Sequence, residues 1–252
     1  MDEIKFILDW LFVRGVNLLI PISFYYSIST KDGYKKRLTD RASCPGYHNL
    51  WWSHFRLLSD YIKRMCWLIT DSYNTAKVAV LCEKDYLSWK IAKPLYQNQI
   101  EFNYLDEEAF LSDACTVNKG FIRIVKQEYS LIILEDTFPV NTRIIRKLNQ
   151  FQEKGGRIIC LRTDERDMGI HAGHVLKECI MVSSEEELTK EVTAIAGNTV
   201  KLDPASTDIR VSHLVKEGVD LYLLVNEGEK EYKGRIHLQT GGSLELWDAW
   251  RG

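Results

Sequence analysis

The feature that most constrains the fold is an alternation of short apolar runs and amphipathic segments that begins at residue 77. The apolar runs have the length and composition of buried strands and lie at 77–82, near 100–104, at 130–135 and at 157–161. Helical periodicity predicts helices near 86–97, at 106–115, 139–153 and 185–195. Residues 121 to 125 are either a further strand or a short connection. Such alternation predicts a parallel sheet with right-handed crossovers.

The pattern changes between residues 198 and 206. Three later runs, at 209–215, 221–226 and 235–238, are separated by turns rich in glycine and glutamate, which indicates antiparallel hairpins. The predicted fold class is therefore α/β, a Rossmann-like parallel sheet with helices on both faces, followed by a small antiparallel β domain.

The first 50 residues have a different character. Residues 4 to 15 carry apolar side chains at helical spacing, and Gly15 ends the pattern. Residues 16 to 26 are apolar on both faces, as in a strand buried on both sides, and a long polar loop follows to Asn49. A helix that leads into such a strand is half of a β/α unit and cannot stand alone.

Composition excludes several function classes. Lys+Arg 33 against Asp+Glu 35 gives a net charge of −2, so the overall field attracts neither nucleic acid nor an anionic membrane. No apolar run reaches the ~20 residues that span a bilayer, and the N-terminus does not resemble a signal peptide, so we expect a cytoplasmic protein. The six cysteines contain no CxxC pair, which favours buried free thiols over disulfides or a zinc site.

Candidate catalytic and cofactor residues are few. Cys160 lies inside a strand with no flanking glycine, so it lacks the sharp elbow of a nucleophilic cysteine, and Cys82 is only slightly better placed. The turn at 83–86 has no glycine, which disfavours a dinucleotide. His171 and His174 have no third ligand at a natural spacing. The sequence thus predicts no cofactor and no metal.

Aromatic residues near the first predicted strand are candidates for sugar contact. Tyr25 and Tyr26 end that strand, and His48, Trp51 and Trp52 follow its loop. Barrel enzymes build their active sites at the carboxyl ends of strands, where aromatic rings can stack on sugars. Packing in a core or an interface explains Trp51 and Trp52 equally well.

Several segments resemble, in this order, the region after the catalytic core of large bacterial glycoside hydrolases of the α-L-rhamnosidase and β-galactosidase type. The segments are short but are spread over nearly the whole chain, at 9–17, 24–27, 51–55, 58–61, 77–81, 208–213, 223–228 and 245–252.

The resemblance implies a domain organisation. Residues 1–50 would be the remnant of the last β/α unit of a (β/α)8 barrel with its loop, 51–198 a glutamine-amidotransferase-like domain without that activity, and 199–252 the start of a β-sandwich. Glycosidases need a pair of carboxylates, yet Val16 to Tyr26 contains no Asp or Glu. The resemblance therefore implies that the catalytic carboxylates belong to barrel strands before Met1.

Three functions compete. The chain is either the accessory portion of a glycoside hydrolase whose catalytic part lies elsewhere, a stand-alone carbohydrate-binding or assembly module, or a complete small glycosidase that uses Glu83, Asp136 or Asp164. We rank them in this order. The expected partners are carbohydrate and either the missing catalytic segment or a second copy of the chain across a C2 interface. Exposed apolar residues between 4 and 26 would favour the first function.

Overall fold

The computed structural model describes residues 2–20, 52–163, 176 and 178–252. The chain divides into two compact units. We call Met1–Asp71 together with Gly242–Gly252 the helical unit, and Ser72–Gly241 the sheet unit. The domain boundaries that the resemblance implies, at 50/51 and 198/199, stay predictions.

The described helical unit contains helix α1 (Asp2–Phe12), a 3-10 turn (Trp52–His54) and helix α2 (Phe55–Ile69). Phe12 packs edge-on against Tyr61, with ring centroids 5.9 Å apart, and Trp250 packs against Tyr61 at 5.3 Å. After α1 the chain turns at Gly15, whose φ of 89° suits glycine. Residues 16–20 are not in a strand, and the rest of the strand expected at 16–26 lies outside the described residues.

The sheet unit carries the other elements. Its strands are β1 (Tyr73–Asn74), β2 (Val78–Cys82), β3 (Phe102–Asp106), β4 (Cys115–Asn118), β5 (Phe121–Ile124), β6 (Gln127–Tyr129), β7 (Leu131–Glu135), β8 (Arg157–Leu161), β9 (Ile180–Val182), β10 (Val200–Asp203), β11 (Ile209–Lys216), β12 (Val219–Asn226) and β13 (Arg235–Leu238). Its helices are α3 (Trp89–Gln97), α4 (Glu107–Leu111), α5 (Thr142–Glu153) and α6 (Glu185–Ala196).

A five-stranded parallel sheet in the order β3-β2-β7-β8-β9 forms the centre of this unit. Alternate side chains of each strand point to opposite faces. Val80 and Ile133 pack with Ile91 of α3 and Leu188 of α6. On the other face, Ile132 packs with apolar side chains of α4 and α5. Helices thus cover both faces, and the predicted α/β class is confirmed.

Smaller antiparallel sheets complete the unit. Strands β4, β5 and β6 form a meander between α4 and β7, so residues 121–124 are a strand that lies outside the parallel sheet. Strands β1, β11 and β12 form a second sheet, and β10 pairs with β13. In the described part of the chain, no helix has both the length and the apolar character needed to cross a membrane.

Helix starts in the sheet unit follow from local sequence. The hydroxyl of Ser88 accepts from the backbone N–H of Ile91 at 3.3 Å and begins α3. Ser184 begins α6 in the same way by accepting from Glu187 N–H at 3.1 Å. The Glu187 carboxylate accepts in return from Ser183 N–H at 2.7 Å. The two hydrogen bonds form a reciprocal cap that differs from the standard capping box by one residue, because Glu187 bonds to the N–H of Ser183 and not to that of Ser184.

Candidate functional site

The carboxyl ends of the parallel strands are where sheets of this topology usually bind ligands. If the five strands are numbered 1 to 5 by their order in the chain, their order across the sheet is 2-1-3-4-5. The winding direction therefore reverses between the first and third of them, β2 and β7. Ligands of open α/β sheets commonly lie in the crevice at that reversal. Cys82 ends β2 and Glu135 ends β7, which makes their surroundings the first place to look for chemistry.

Glu135 is a buried carboxylate at this crevice, with 8% of its surface exposed. It accepts a short hydrogen bond from the Ser88 hydroxyl and another from the Tyr86 hydroxyl at 3.1 Å. Both donors belong to the connection between β2 and α3. Since buried polar groups must find partners, this arrangement fastens the connection to the end of β7.

Asp136 has a similar role one residue further on. Its Oδ1 accepts from the backbone N–H and from the hydroxyl of Thr163, each at 2.9 Å. The carboxylate therefore joins the chain after β7 to the chain after β8. Glu83 is half-buried just after β2, and Asp164 lies outside the described residues. The geometry gives Asp136 a structural task.

Burial favours the protonated form of the thiols near the crevice. Burial, with the nearby carboxylates of Asp106 and Glu83, raises the pKa of Cys82 to about 11. Burial and the adjacent Cys179 thiol raise the pKa of Cys160 well above its ordinary value. With these raised pKa values both cysteines stay protonated at neutral pH. Since the thiolate is the nucleophile, neither side chain is suited to nucleophilic attack. Both are buried, as the sequence predicted.

Among the predicted sugar-contact residues, the structure describes Trp52. Tyr25, Tyr26, His48 and Trp51 lie outside the described residues, as do His171 and His174. Trp52 is half-buried, and its ring stacks on Phe55 with centroids 5.0 Å apart and planes 13° apart. A sugar-binding role for all five residues stays a prediction.

A second cluster, around Glu101, was not anticipated from the sequence. The carboxylate of Glu101 accepts from Asn74 Nδ2 at 3.3 Å, from the His213 backbone N–H at 2.5 Å and from the Thr199 hydroxyl at 3.4 Å. Burial outweighs these hydrogen bonds and raises the pKa of Glu101 to about 7. The contact partners lie next to three different β strands, so Glu101 links the antiparallel sheets to the start of β3.

His213 extends this cluster. Its Nδ1 lies 2.7 Å from the Thr75 hydroxyl and its Nε2 lies 2.7 Å from Asp220 Oδ1. Its ring stacks on Tyr222 at 4.2 Å. The order hydroxyl, imidazole, carboxylate is that of a nucleophilic triad. Here the imidazole is buried within a β-sheet, and the arrangement serves to join β1, β11 and β12.

The helical unit shows a different feature, an uncovered apolar side of α1. Phe6, Ile7 and Trp10 are 47%, 57% and 43% exposed, and we call these three residues the outer face of α1. Leu18 and Ile20, which follow the helix, are also exposed. Exposed apolar residues, which would favour the first of the three functions, are therefore present in the described part of residues 4 to 26. The Arg14 guanidinium lies 4.1 Å from the centre of the Trp10 ring, so this part of the helix presents both apolar and charged groups. Exposed apolar patches commonly mark interaction sites.

Comparison with known proteins finds likeness in structure alone. No family model matches the chain, and no curated protein matches it in sequence. A rhamnosidase from Novosphingobium sp. PP1Y superposes with a TM-score of 0.58 at 15% identity, over 88% of this chain and 24% of the rhamnosidase chain. This chain thus spans about a quarter of that enzyme's length.

Two further solved structures overlap more loosely. An α-L-fucosidase from Paenibacillus thiaminolyticus gives a TM-score of 0.38 at 13% identity, over 62% of this chain and 38% of its own. A GH42 β-galactosidase from G. stearothermophilus gives a TM-score of 0.41 at 13% identity, over 90% of this chain and 31% of the galactosidase chain. These three structures are glycoside hydrolases, and this mixed α/β chain matches only a part of each.

Proposed function

We propose that this chain is the non-catalytic accessory portion of a glycoside hydrolase that acts on plant or bacterial polysaccharide. The observation that carries the proposal is the extent of the fold likeness to the rhamnosidase, which includes 88% of this chain but only 24% of that enzyme. This ratio supports an accessory role, in which the catalytic carboxylates would belong to sequence outside the segment.

The state of the strand-end carboxylates supports a non-catalytic role. Glycoside hydrolysis needs two carboxyl groups that flank the scissile bond. Glu135 is buried and bonded to Ser88 and Tyr86, and Asp136 is bonded to Thr163. Each of these carboxylates holds two parts of the chain together, so neither is left available to a substrate.

The outer face of α1 supports the existence of a large partner. Its exposed apolar rings would be covered if α1 were the last helix of a (β/α)8 barrel, as the resemblance implies. We therefore propose the catalytic barrel as the occupant of this face. Self-association through a C2 interface is the alternative, and it would appear as a concentration-dependent mass in sedimentation velocity.

The direct test of this function is hydrolysis of a panel of nitrophenyl glycosides that includes α-L-rhamnoside and β-galactoside. We expect no release of nitrophenol above the rate in buffer, either from the chain as given or from Glu135→Gln and Asp136→Asn variants. Turnover by the unaltered chain that one of these substitutions abolishes would overturn the accessory role. A parallel binding assay separates the alternatives, since neutral-sugar binding that a Trp52→Ala variant loses would favour a stand-alone carbohydrate-binding module.

A further inference from the structure

A groove on the sheet unit lies apart from the strand ends described above. It has a volume of about 430 Å³ and runs between α5 and the segment from Leu111 to Val117. Arg143, Arg146 and Lys147 of α5 line one side, and residues 111–117, among them Asp113, line the other. Its size is within the range of ~300–1,000 Å³ that is typical of small-molecule sites.

The lysine of this groove already has a structural task. Lys147 Nζ donates to the backbone carbonyl of Cys115 at 2.5 Å and to that of Ser112 at 3.5 Å. It also lies 5.4 Å from the centre of the Phe110 ring. Lys154, one helical turn beyond the groove, donates to the Val117 carbonyl at 2.8 Å. The two ammonium groups therefore fasten β4 and the preceding turn to α5.

The two arginines have no such task. Arg143 and Arg146 are exposed and lie three residues apart on α5, so they occupy the same side of the helix. Within the described part of the chain, no carboxylate forms an ion pair with either guanidinium. A concave surface thus presents two adjacent guanidinium groups whose hydrogen-bond donors are available to a ligand.

We propose that this groove binds an anionic saccharide whose sugar rings carry carboxylates, that is, a uronic-acid oligosaccharide. Arginine binds carboxylates in a planar bidentate geometry, and two arginines one turn apart can each bind one. The partly buried side chains of Leu111 and Val117 offer apolar contact for the sugar rings. The saccharide assignment rests on the proposed function, whereas the anion site rests on the groove alone.

The test compares ligands that differ only in charge. Calorimetric titration of the chain with trigalacturonate should give saturable binding, and the same trisaccharide with methyl-esterified carboxyl groups should bind at least about tenfold more weakly. Equal affinity for both trisaccharides, or no binding of trigalacturonate, would overturn the proposal. Inorganic sulfate that binds as tightly as trigalacturonate would overturn the saccharide assignment.

Matched variants locate the binding. Arg143→Gln/Arg146→Gln removes two charges from the groove, and we expect about a tenfold rise in Kd, as for two exposed ion pairs. Lys190→Gln/Lys201→Gln removes two exposed charges elsewhere on the sheet unit and should leave Kd unchanged. Equal Kd values for both double variants would refute the assignment of the groove as the binding site. Because this measurement involves no turnover, its failure is distinguishable from detection of glycosidase activity, which would instead overturn the proposed function.

Discussion

The sheet unit and the helical unit differ in how completely they cover their own apolar surface. The central strand β7 has helices on both faces, and Leu131 to Leu134 are fully buried. Helix α1 buries Phe12 on one side but exposes Phe6, Ile7 and Trp10 on the other. The sheet unit therefore completes its core from its own sequence. The helical unit, in contrast, leaves the outer face of α1 exposed.

The largest expected effect comes from replacing a buried isoleucine of the sheet unit by alanine, compared with the same replacement of an exposed isoleucine in the helical unit. Ile133→Ala removes a fully buried side chain from β7 and should lower the free energy of unfolding by about 4 kcal/mol. Ile7→Ala removes a side chain that is 57% exposed and should change it by no more than about 0.5 kcal/mol. Urea titration followed by circular dichroism measures both. Similar losses in the two variants would contradict the comparison.

A second prediction concerns pH and the sheet unit. The pKa of Glu101 is raised to about 7, whereas a carboxyl group in the unfolded chain titrates near 4.3. Between these values the folded chain holds a proton that the unfolded chain has lost, so stability falls as pH rises through that window. Glu101→Gln can keep the two hydrogen bonds that Oε1 accepts, and its amide nitrogen can donate to the Thr199 hydroxyl. The substitution abolishes the pH-dependent loss, which amounts to at most roughly 3–4 kcal/mol.

The control for this prediction is Glu153→Gln at an exposed position on α5. Chemical unfolding at pH 5 and pH 8 should show the Glu101→Gln variant gaining stability relative to the unaltered chain as pH rises. The Glu153→Gln variant should show no such gain. If the Glu101→Gln variant has the same pH dependence as the unaltered chain, burial of Glu101 does not control its titration.

The smallest effect is expected within the helical unit. The Tyr61 hydroxyl donates a short hydrogen bond to Asp9, which also accepts from Lys5 at 2.5 Å. Burial, and then Asp9, raises the pKa of Tyr61, so the hydroxyl stays protonated. Tyr61→Phe should cost about 1 kcal/mol and accelerate hydrogen exchange in α1. Tyr73→Phe, at a more exposed position, is the control and should leave exchange in α1 unaltered.

The sequence predicts the parallel sheet well because its strands are buried on both faces. Such strands appear as uninterrupted apolar runs, as in Val78–Cys82 and Leu131–Glu135. The strands β9 and β10 were not predicted, because they have only three and four residues. The meander β4-β5-β6 was largely missed as well, since its strands are partly exposed and carry no continuous apolar run.

The candidate sites were harder to predict than the fold. Glu101 gains its partners from Asn74, Thr199 and His213, the last of which is 112 residues away in the chain. No local pattern signals such a cluster. Arg143 and Arg146 look like an ordinary solvated side of a helix, and only the folded meander forms a groove beside them. Function at these places depends on contacts between distant segments.

Hydrogen–deuterium exchange of the chain as given, resolved by peptide, tests the central claim most directly. That claim is that the sheet unit buries its own apolar core, whereas the outer face of α1 is exposed. We expect the amides of α1 to exchange at least about a hundredfold faster than those of β7 and β8, because local stability follows the burial of apolar contacts. Protection of α1 equal to that of β7 in a monomeric chain would contradict the account, because the helical unit would then be stable without a barrel.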